Sequence, residues 1–174
     1  FCNCADSVAD CQKISTLIDL KLTPANLAMS KTFIDSNVVL YLFSSEKVKA
    51  NRAESLLRSG GLISVQVLNE VTSVCLRKLK MPWADIDLVL LALKNNCEVL
   101  PLTLASHEKA VDLAKRFQIS FYDANIAATA ILSGADTLLT EDMQSGMTMD
   151  CLTVMNPFRS EISKDSQAKG SSSA

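Results

Sequence analysis

The sequence predicts an α/β protein, a three-layer α/β/α architecture built on a central, mainly parallel sheet. Short β-prone runs alternate with stretches of helical periodicity from residue 31 to 158, the pattern of right-handed βαβ crossovers with helices on both faces of a sheet. The length, 174 residues, suits one domain, and 48% hydrophobic residues are ample for a core. Aromatics contribute only 5%, so that core must be aliphatic.

The elements follow in order. Lys31-Thr-Phe-Ile34 is β-prone, and Asp35-Ser36-Asn37 after it can cap a helix over Val38 to Phe43. Glu46 to Arg58 reads as a second helix, stopped by Gly60-Gly61. Leu62 and Ile63 form a brief strand. Ser64 can cap a helix running to Lys80, with Val67, Val71 and Val74 at helical spacing. Pro82 suits the first turn of a helix reaching about Asn95, and Cys97 to Leu102 is a strand. Leu104 to Gln118 is amphipathic, with Ala110, Val111, Ala114 and Phe117 on one face. Tyr122 to Leu132 is a small-residue helix ended by Gly134, Thr137-Leu-Leu139 a strand, and Cys151-Leu-Thr-Val154 a last strand closed by Pro157.

The ends differ from this core. Residues 1–30 read as an extension outside it, cysteine-rich at Cys2, Cys4 and Cys11, with one helical stretch around Ile14 to Leu22 broken by Pro24; Met29 is the expected natural start. Residues 159–174, rich in Ser and Lys, read as a flexible tail.

Composition narrows the function classes. A formal charge of −2 argues against a protein that coats nucleic acid nonspecifically, but an acidic site that gathers cations remains compatible with it. Six cysteines without a CxxC pair, and a single histidine, His107, exclude a zinc site of usual spacing. Cys75, Cys97 and Cys151 are expected as small buried thiols in a reducing compartment, and His107 as an ordinary surface histidine. Apolar runs such as Leu88 to Leu93 are far too short to cross a bilayer, so no membrane association is expected. With no basic start and apolar stretch at the beginning, the expected location is cytoplasmic.

In a parallel sheet, ligands bind beyond the carboxyl ends of the strands. Asp35 follows the first strand there and Asp142 follows Thr137-Leu-Leu139, in Thr140-Glu141-Asp142. Glu70 lies between Leu68 and Val71 in a largely apolar helix, and Asp123 opens the helix Ala124 to Leu132. Taken singly, each is explained as well by a helix cap, a turn or a solvent boundary. Jointly they are expected to converge on one edge of the sheet, where clustered carboxylates need cations. Oxygen-only ligands favour Mg²⁺ or Mn²⁺ over zinc, and a metal so held can activate water and clamp a phosphodiester.

The segments Phe33-Ile-Asp35-Ser-Asn37-Val, Ile63-Ser-Val-Gln-Val-Leu-Asn-Glu70, Tyr122-Asp123-Ala-Asn-Ile-Ala127 and Leu139-Thr140-Glu-Asp142 resemble the four motif blocks of PIN-domain nucleases. They are most similar to VapC-type toxins of bacterial toxin–antitoxin pairs, over about residues 31–158. The resemblance implies a PIN-like domain and a Mg²⁺- or Mn²⁺-dependent endoribonuclease. It places Asp35, Glu70 and Asp123 on the family's near-invariant acids and Asp142 on its more variable fourth, with Thr140 and Asn37 as supporting polar residues. It also implies an RNA substrate, a cognate antitoxin and a homodimer, for which the apolar excess of Val38, Val39, Leu40, Tyr41, Leu42 and Phe43 offers a surface. The block departs from the family at Met143-Gln144-Ser145, where an aromatic residue is usual. Arg52, Arg58, Arg77, Lys78 and Lys80 are candidate phosphate contacts. The alternative is a catalytically inactive PIN-like domain that binds RNA or protein. A haloacid-type phosphatase would need a DxD block where Asp35-Ser-Asn37 stands, and a receiver domain an early acidic pair and a late lysine.

Overall fold

A computed structural model describes residues 32–159, so the readings made for residues 1–31 and 160–174 lie outside the described residues. The chain begins with β1 (Thr32–Ile34), followed by a short helix α1 (Ser36–Leu40), a 3₁₀ turn (Tyr41–Phe43) and α2 (Lys47–Arg58). Then come β2 (Gly61–Ser64), α3 (Val65–Arg77), α4 (Trp83–Asn96), β3 (Cys97–Leu100), α5 (Leu104–Phe117) and α6 (Phe121–Leu132). β4 (Thr137–Leu139), β5 (Thr148–Met149) and β6 (Leu152–Met155) complete it. The six strands form one sheet in the order β3-β2-β1-β4-β6-β5, parallel throughout except for β5.

This order fixes where a site can lie. The chain winds outward from β1 to β2 and β3, then returns across β1 to β4, so the direction of winding reverses between β1 and β4. Right-handed crossovers place helices of the two windings on opposite faces. The contacts agree: α1 to α4 pack among themselves, while α5 packs on α6, and α6 lies against β2 and β6. The expected three-layer architecture is therefore present. The crevice outside the carboxyl ends of β1 and β4 is its topological switch point.

The core is aliphatic, as the composition requires. Phe33, Ile63, Leu138 and Val154 of the inner strands are buried, with Val67, Val71 and Leu93 from one helical layer and Leu113 and Ile126 from the other. Leu113 was missing from the expected apolar face of α5 but is fully buried. Val38, Val39 and Leu42 are buried too, and Leu40, Tyr41 and Phe43 pack against the core. Val38, Val39 and Leu42 of the apolar run after Asp35 are thus used inside the chain, while Leu40, Tyr41 and Phe43 are only half-buried.

Several boundaries differ from the expected ones for physical reasons. α3 ends at Arg77, not Lys80, because the N–H groups of Lys78 and Leu79 both turn back to Val74 O, and Lys80 adopts φ 54°. β3 stops at Leu100 because Pro101 has no N–H to continue a ladder. α6 begins at Phe121 with Ser120 as its cap, so Asp123 stands inside the first turn rather than capping it. β5 was not foreseen: two residues long, it pairs antiparallel with β6 across a tight turn in which Asp150 takes φ 54°. That turn carries Cys151 to the surface, so its expected burial is wrong, whereas Cys75 and Cys97 are buried, with thiols pushed up to about 11 and about 12 by desolvation. Lys109 and Arg116 of α5 fasten the same turn through Asp150, at 2.6 and 3.0 Å. Among the described residues no helix is long and apolar enough to cross a membrane.

The two adjacent glycines have separate roles. Gly60, at φ 78°, ends α2, whereas Gly61 belongs to β2. A Cβ on Gly61 would lie 2.9 Å from Ile34 Cδ1 and 3.1 Å from Thr32 O, so the Ile34 side chain would have to move and β1 to give way slightly. Gly61→Ala is expected to destabilise the fold by about 1–3 kcal/mol, read as a lower urea midpoint with an unchanged slope. An unchanged midpoint would mean that β1 and β2 separate freely.

Candidate active site

Asp35 occupies the residue after β1, and its environment is built almost entirely from the chain's own polar groups. Its N–H donates to Leu139 O at 3.0 Å, carrying the β1–β4 ladder one residue beyond the strand. As the cap of α1, its Oδ1 accepts the Ser36 N–H at 2.6 Å. Its Oδ2 accepts the Thr140 hydroxyl at 2.7 Å and Asn37 Nδ2 at 2.9 Å. The carboxylate is only 2% exposed.

Thr140 and Asn37 are interlocked. The Thr140 hydroxyl donates to Asp35 and accepts from Asn37 Nδ2 at 2.8 Å and from Asp142 N at 3.2 Å. Asn37 Oδ1 accepts the Glu141 N–H at 3.3 Å. Both amide atoms of Asn37 are thereby engaged, which fixes its orientation, and the loop after β4 is hung from the residue three places after β1.

The other acids reach the same edge from the helices. Glu70 projects from α3, where its Oε2 accepts the Ser36 hydroxyl and its Oε1 accepts Gln66 Nε2 at 2.8 Å. Ser36 therefore ties Glu70 to the residue beside Asp35. Asp123, in the first turn of α6, is half-buried, and the Asp142 carboxylate makes no side-chain hydrogen bond among the described residues. None of the four acids forms an ion pair with a described lysine or arginine.

Their electrostatics report their proximity. Burial, opposed by the Thr140 and Ser36 hydrogen bonds and reinforced by the charges of Glu70 and Asp123, pushes the Asp35 carboxyl from 3.8 up to about 7. The Asp123 carboxyl is raised as well, by burial first and then by Asp142 and Glu70 against the hydrogen bond from Ser120. Glu70 and Asp123 thus act electrostatically on Asp35, and Asp142 and Glu70 on Asp123. The four acids do not close into the ready-made cluster that was expected: among the described residues, no three His, Cys, Asp or Glu side chains are placed to hold one ion by themselves. A cavity of about 260 Å³ opens beside Asp142, walled by Leu40, Tyr41, Phe43, Val74 and Leu79 and bordered by Asn37 and Glu141.

Sequence reasoning missed Ser36, Gln66 and Ser120. Gln66 stands four residues before Glu70, helical neighbour spacing that was legible. Ser36 had no comparable signal, because its partner is 34 residues away. Of the candidate phosphate contacts, Arg58 is engaged with Glu54 at 2.7 Å.

The raised pKa values carry a consequence for stability. An acid whose folded-state pKa exceeds its unfolded value favours folding fully below about pH 4, and this contribution is lost as pH rises through the folded value, here about 7 for Asp35. In chelator, melting temperature is expected to fall between pH 5 and pH 8, and to fall less in Asp35→Asn. Mn²⁺ should recover more of the parent's melting temperature at pH 8 than at pH 5, since cation and proton compete for one carboxylate. Parallel pH curves for parent and variant would contradict this.

The comparisons with known proteins bear on the same residues. The chain matches the PIN domain family over residues 32–144. No curated protein sequence matches it. Among solved structures it is similar to a toxin–antitoxin complex from Klebsiella pneumoniae, with TM-score 0.57 and 21% identity over 73% of this chain and 98% of the other. It is also similar to VapC20 of Mycobacterium tuberculosis, a toxin that cleaves the sarcin–ricin loop, with TM-score 0.54 and 21% identity over 64% of this chain and 89% of the other. At that identity the likeness concerns the fold. The family match spans more than half of the chain, from β1 through the acids on the loop after β4, and the chain belongs to the PIN domain family.

Proposed function

We propose that this protein is a metal-dependent endoribonuclease, the toxin of a type II toxin–antitoxin pair, working through Asp35, Glu70, Asp123 and Asp142. The observation that carries the reading is the buried Asp35 carboxylate at the switch point, held by Thr140 and Asn37 and facing other acids with no described cation beside it. A site made only to stabilise the fold would gain by pairing or removing such a charge.

The donor set fits a hard divalent cation, since every candidate ligand atom is a carboxylate oxygen. Openness fits it too: Mg²⁺ keeps several waters and takes one or two carboxylates together with substrate phosphate, so a closed protein cage is not required. Mg²⁺ or Mn²⁺, held by the four acids directly or through water, would acidify a water and offset charge on a phosphodiester. The protein's own part is orientation. Thr140 and Asn37 point Asp35 Oδ2, Ser36 and Gln66 point the two oxygens of Glu70, and Ser120 fixes the first turn that carries Asp123. Hydrolysis would leave a 5′-phosphate and a 3′-hydroxyl. Phe121 and Tyr122, exposed just before Asp123, present rings on which the bases of a single strand can stack.

An antitoxin partner belongs to this reading, supported by the Klebsiella neighbour's description as a toxin–antitoxin complex. So does a homodimer, for which the exposed apolar residues Trp83, Leu88 and Leu91 of α4 offer a surface as well as the half-buried Leu40, Tyr41 and Phe43. Sedimentation as a monomer at micromolar concentration would remove the dimer.

With a panel of RNAs, cleavage is expected with Mg²⁺ or Mn²⁺ and none with chelator. Asp35→Asn should lower the rate by on the order of 10²–10³ without unfolding the chain. An Asp35→Asn protein that cleaves like the parent would end the assignment. A parent that binds Mn²⁺ and RNA but cleaves nothing would instead favour the noncatalytic binding domain.

A further inference from the structure

The loop after β4 presents two acids in succession, Glu141 and Asp142, and the fold treats them oppositely. Glu141 is clasped: Oε2 accepts the Tyr41 hydroxyl, Oε1 accepts Lys49 Nζ at 3.1 Å, and Lys49 Nζ also donates to the Tyr41 oxygen at 2.9 Å. The Lys49 ammonium lies 4.5 Å from the Tyr41 ring centroid and 5.7 Å from that of Phe158. The two rings are themselves 4.5 Å apart, tilted by 58°. Asp142 has no such support. Its N–H donates to Thr140 Oγ1, and its carboxylate has no hydrogen-bond partner among the described residues. The place of Asp142 is therefore set by what holds its neighbours.

We infer that Tyr41 and Lys49 are positioning residues for Asp142: by clamping Glu141 against the 3₁₀ turn and the first turn of α2, they fix the loop that presents Asp142 to Asp123. The inference rests on the nuclease reading above, because its consequence is cation affinity. Three observations support it. Glu141 is held at both its backbone, by Asn37 Oδ1, and its side chain, so the segment between Thr140 and Asp142 is gripped from two sides. The clasp is a closed triangle of three polar groups under two rings, unlike an isolated surface ion pair, which contributes little. Lys49 is also engaged rather than free for a phosphate: beyond Tyr41 and Glu141, its ammonium lies 3.8 Å from Glu46 Oε2. A second acid left loose beside Asp142 could compete with it for the cation, and the clasp prevents this by giving Glu141 a cation of its own.

The experiment uses the full chain and three variants, Lys49→Met, Lys49→Arg and Tyr41→Phe, the last keeping the ring against Phe158. Mn²⁺ affinity is read by electron paramagnetic resonance titration without RNA, followed by kcat, KM for single-stranded RNA, and melting temperature. Lys49→Met and Tyr41→Phe are expected to weaken Mn²⁺ binding by about 10-fold, with KM for RNA little changed, and Lys49→Arg should retain most of the affinity. Unchanged Mn²⁺ affinity in Lys49→Met and Tyr41→Phe, with a loss only in melting temperature, would overturn the inference and leave a structural clasp. A raised KM at unchanged Mn²⁺ affinity would overturn it in favour of a phosphate contact. A parent that binds no Mn²⁺ would overturn the nuclease reading as well.

Discussion

The architecture of the site depends on one constraint, a carboxylate that must be buried at the end of a strand and still be fully hydrogen-bonded. Asp35 meets it with donors drawn from two places 105 residues apart, its own capping turn and the Thr140 hydroxyl. A desolvated charge without partners would cost several kcal/mol. β1 therefore cannot take its position independently of β4, and the ladder bond from Asp35 N to Leu139 O states the same dependence through the backbone. The fold and the site share one set of hydrogen bonds.

The strand ends were legible because they obey local rules. An apolar run, then Asp or Thr, marks a strand that stops and a helix or turn that begins, and parallel topology carries such residues to one edge. Asp35 and Asp142 were found this way, whereas Thr140 came only with the family resemblance. For Asp123 capping was the rival explanation, and it does not hold, since Ser120 supplies the cap. What stayed hidden was whatever depends on side-chain direction across layers. Ser36 reads as a capping serine, and only the packing of α1 against α3 turns its hydroxyl to Glu70. The Tyr41–Lys49–Glu141 clasp was equally invisible, because Tyr41 looked like one more apolar residue in the run Val38 to Phe43. β5 escaped because two residues carry no periodicity, and with it went the exposure of Cys151.

The acids differ in how their charge is managed, and the difference follows the layers. Glu141, on the loop after β4, and Asp150, in the β5–β6 turn at the opposite edge of the sheet, are each matched by basic residues, and their carboxyl pKa values are lowered, Glu141 by Tyr41 and then Lys49, Asp150 by Lys109 and then Arg116. Asp35 and Asp123 sit inward, near other acids, and theirs are raised, chiefly by desolvation. A protein of net charge −2 can in this way pair its lysines and arginines with outer acids while Asp35 and Asp123 stay without a basic partner among the described residues.

Desolvation also explains why an open set of acids can suffice. Burial lifts the Asp35 carboxyl toward 7 because its ionised form loses hydration, and in the same low-dielectric surroundings a divalent cation would interact with that carboxylate more strongly than in water. Much of the attraction is thus present before any ligand shell is complete. Glu70 and Asp123 then need only lie within electrostatic reach of Asp35, and their helices can be placed by core packing rather than by coordination geometry. Asp142, on a loop instead of a helix, lacks that core packing. The hydrogen bonds that fasten its loop to Asn37, Tyr41 and Lys49 stand in for it.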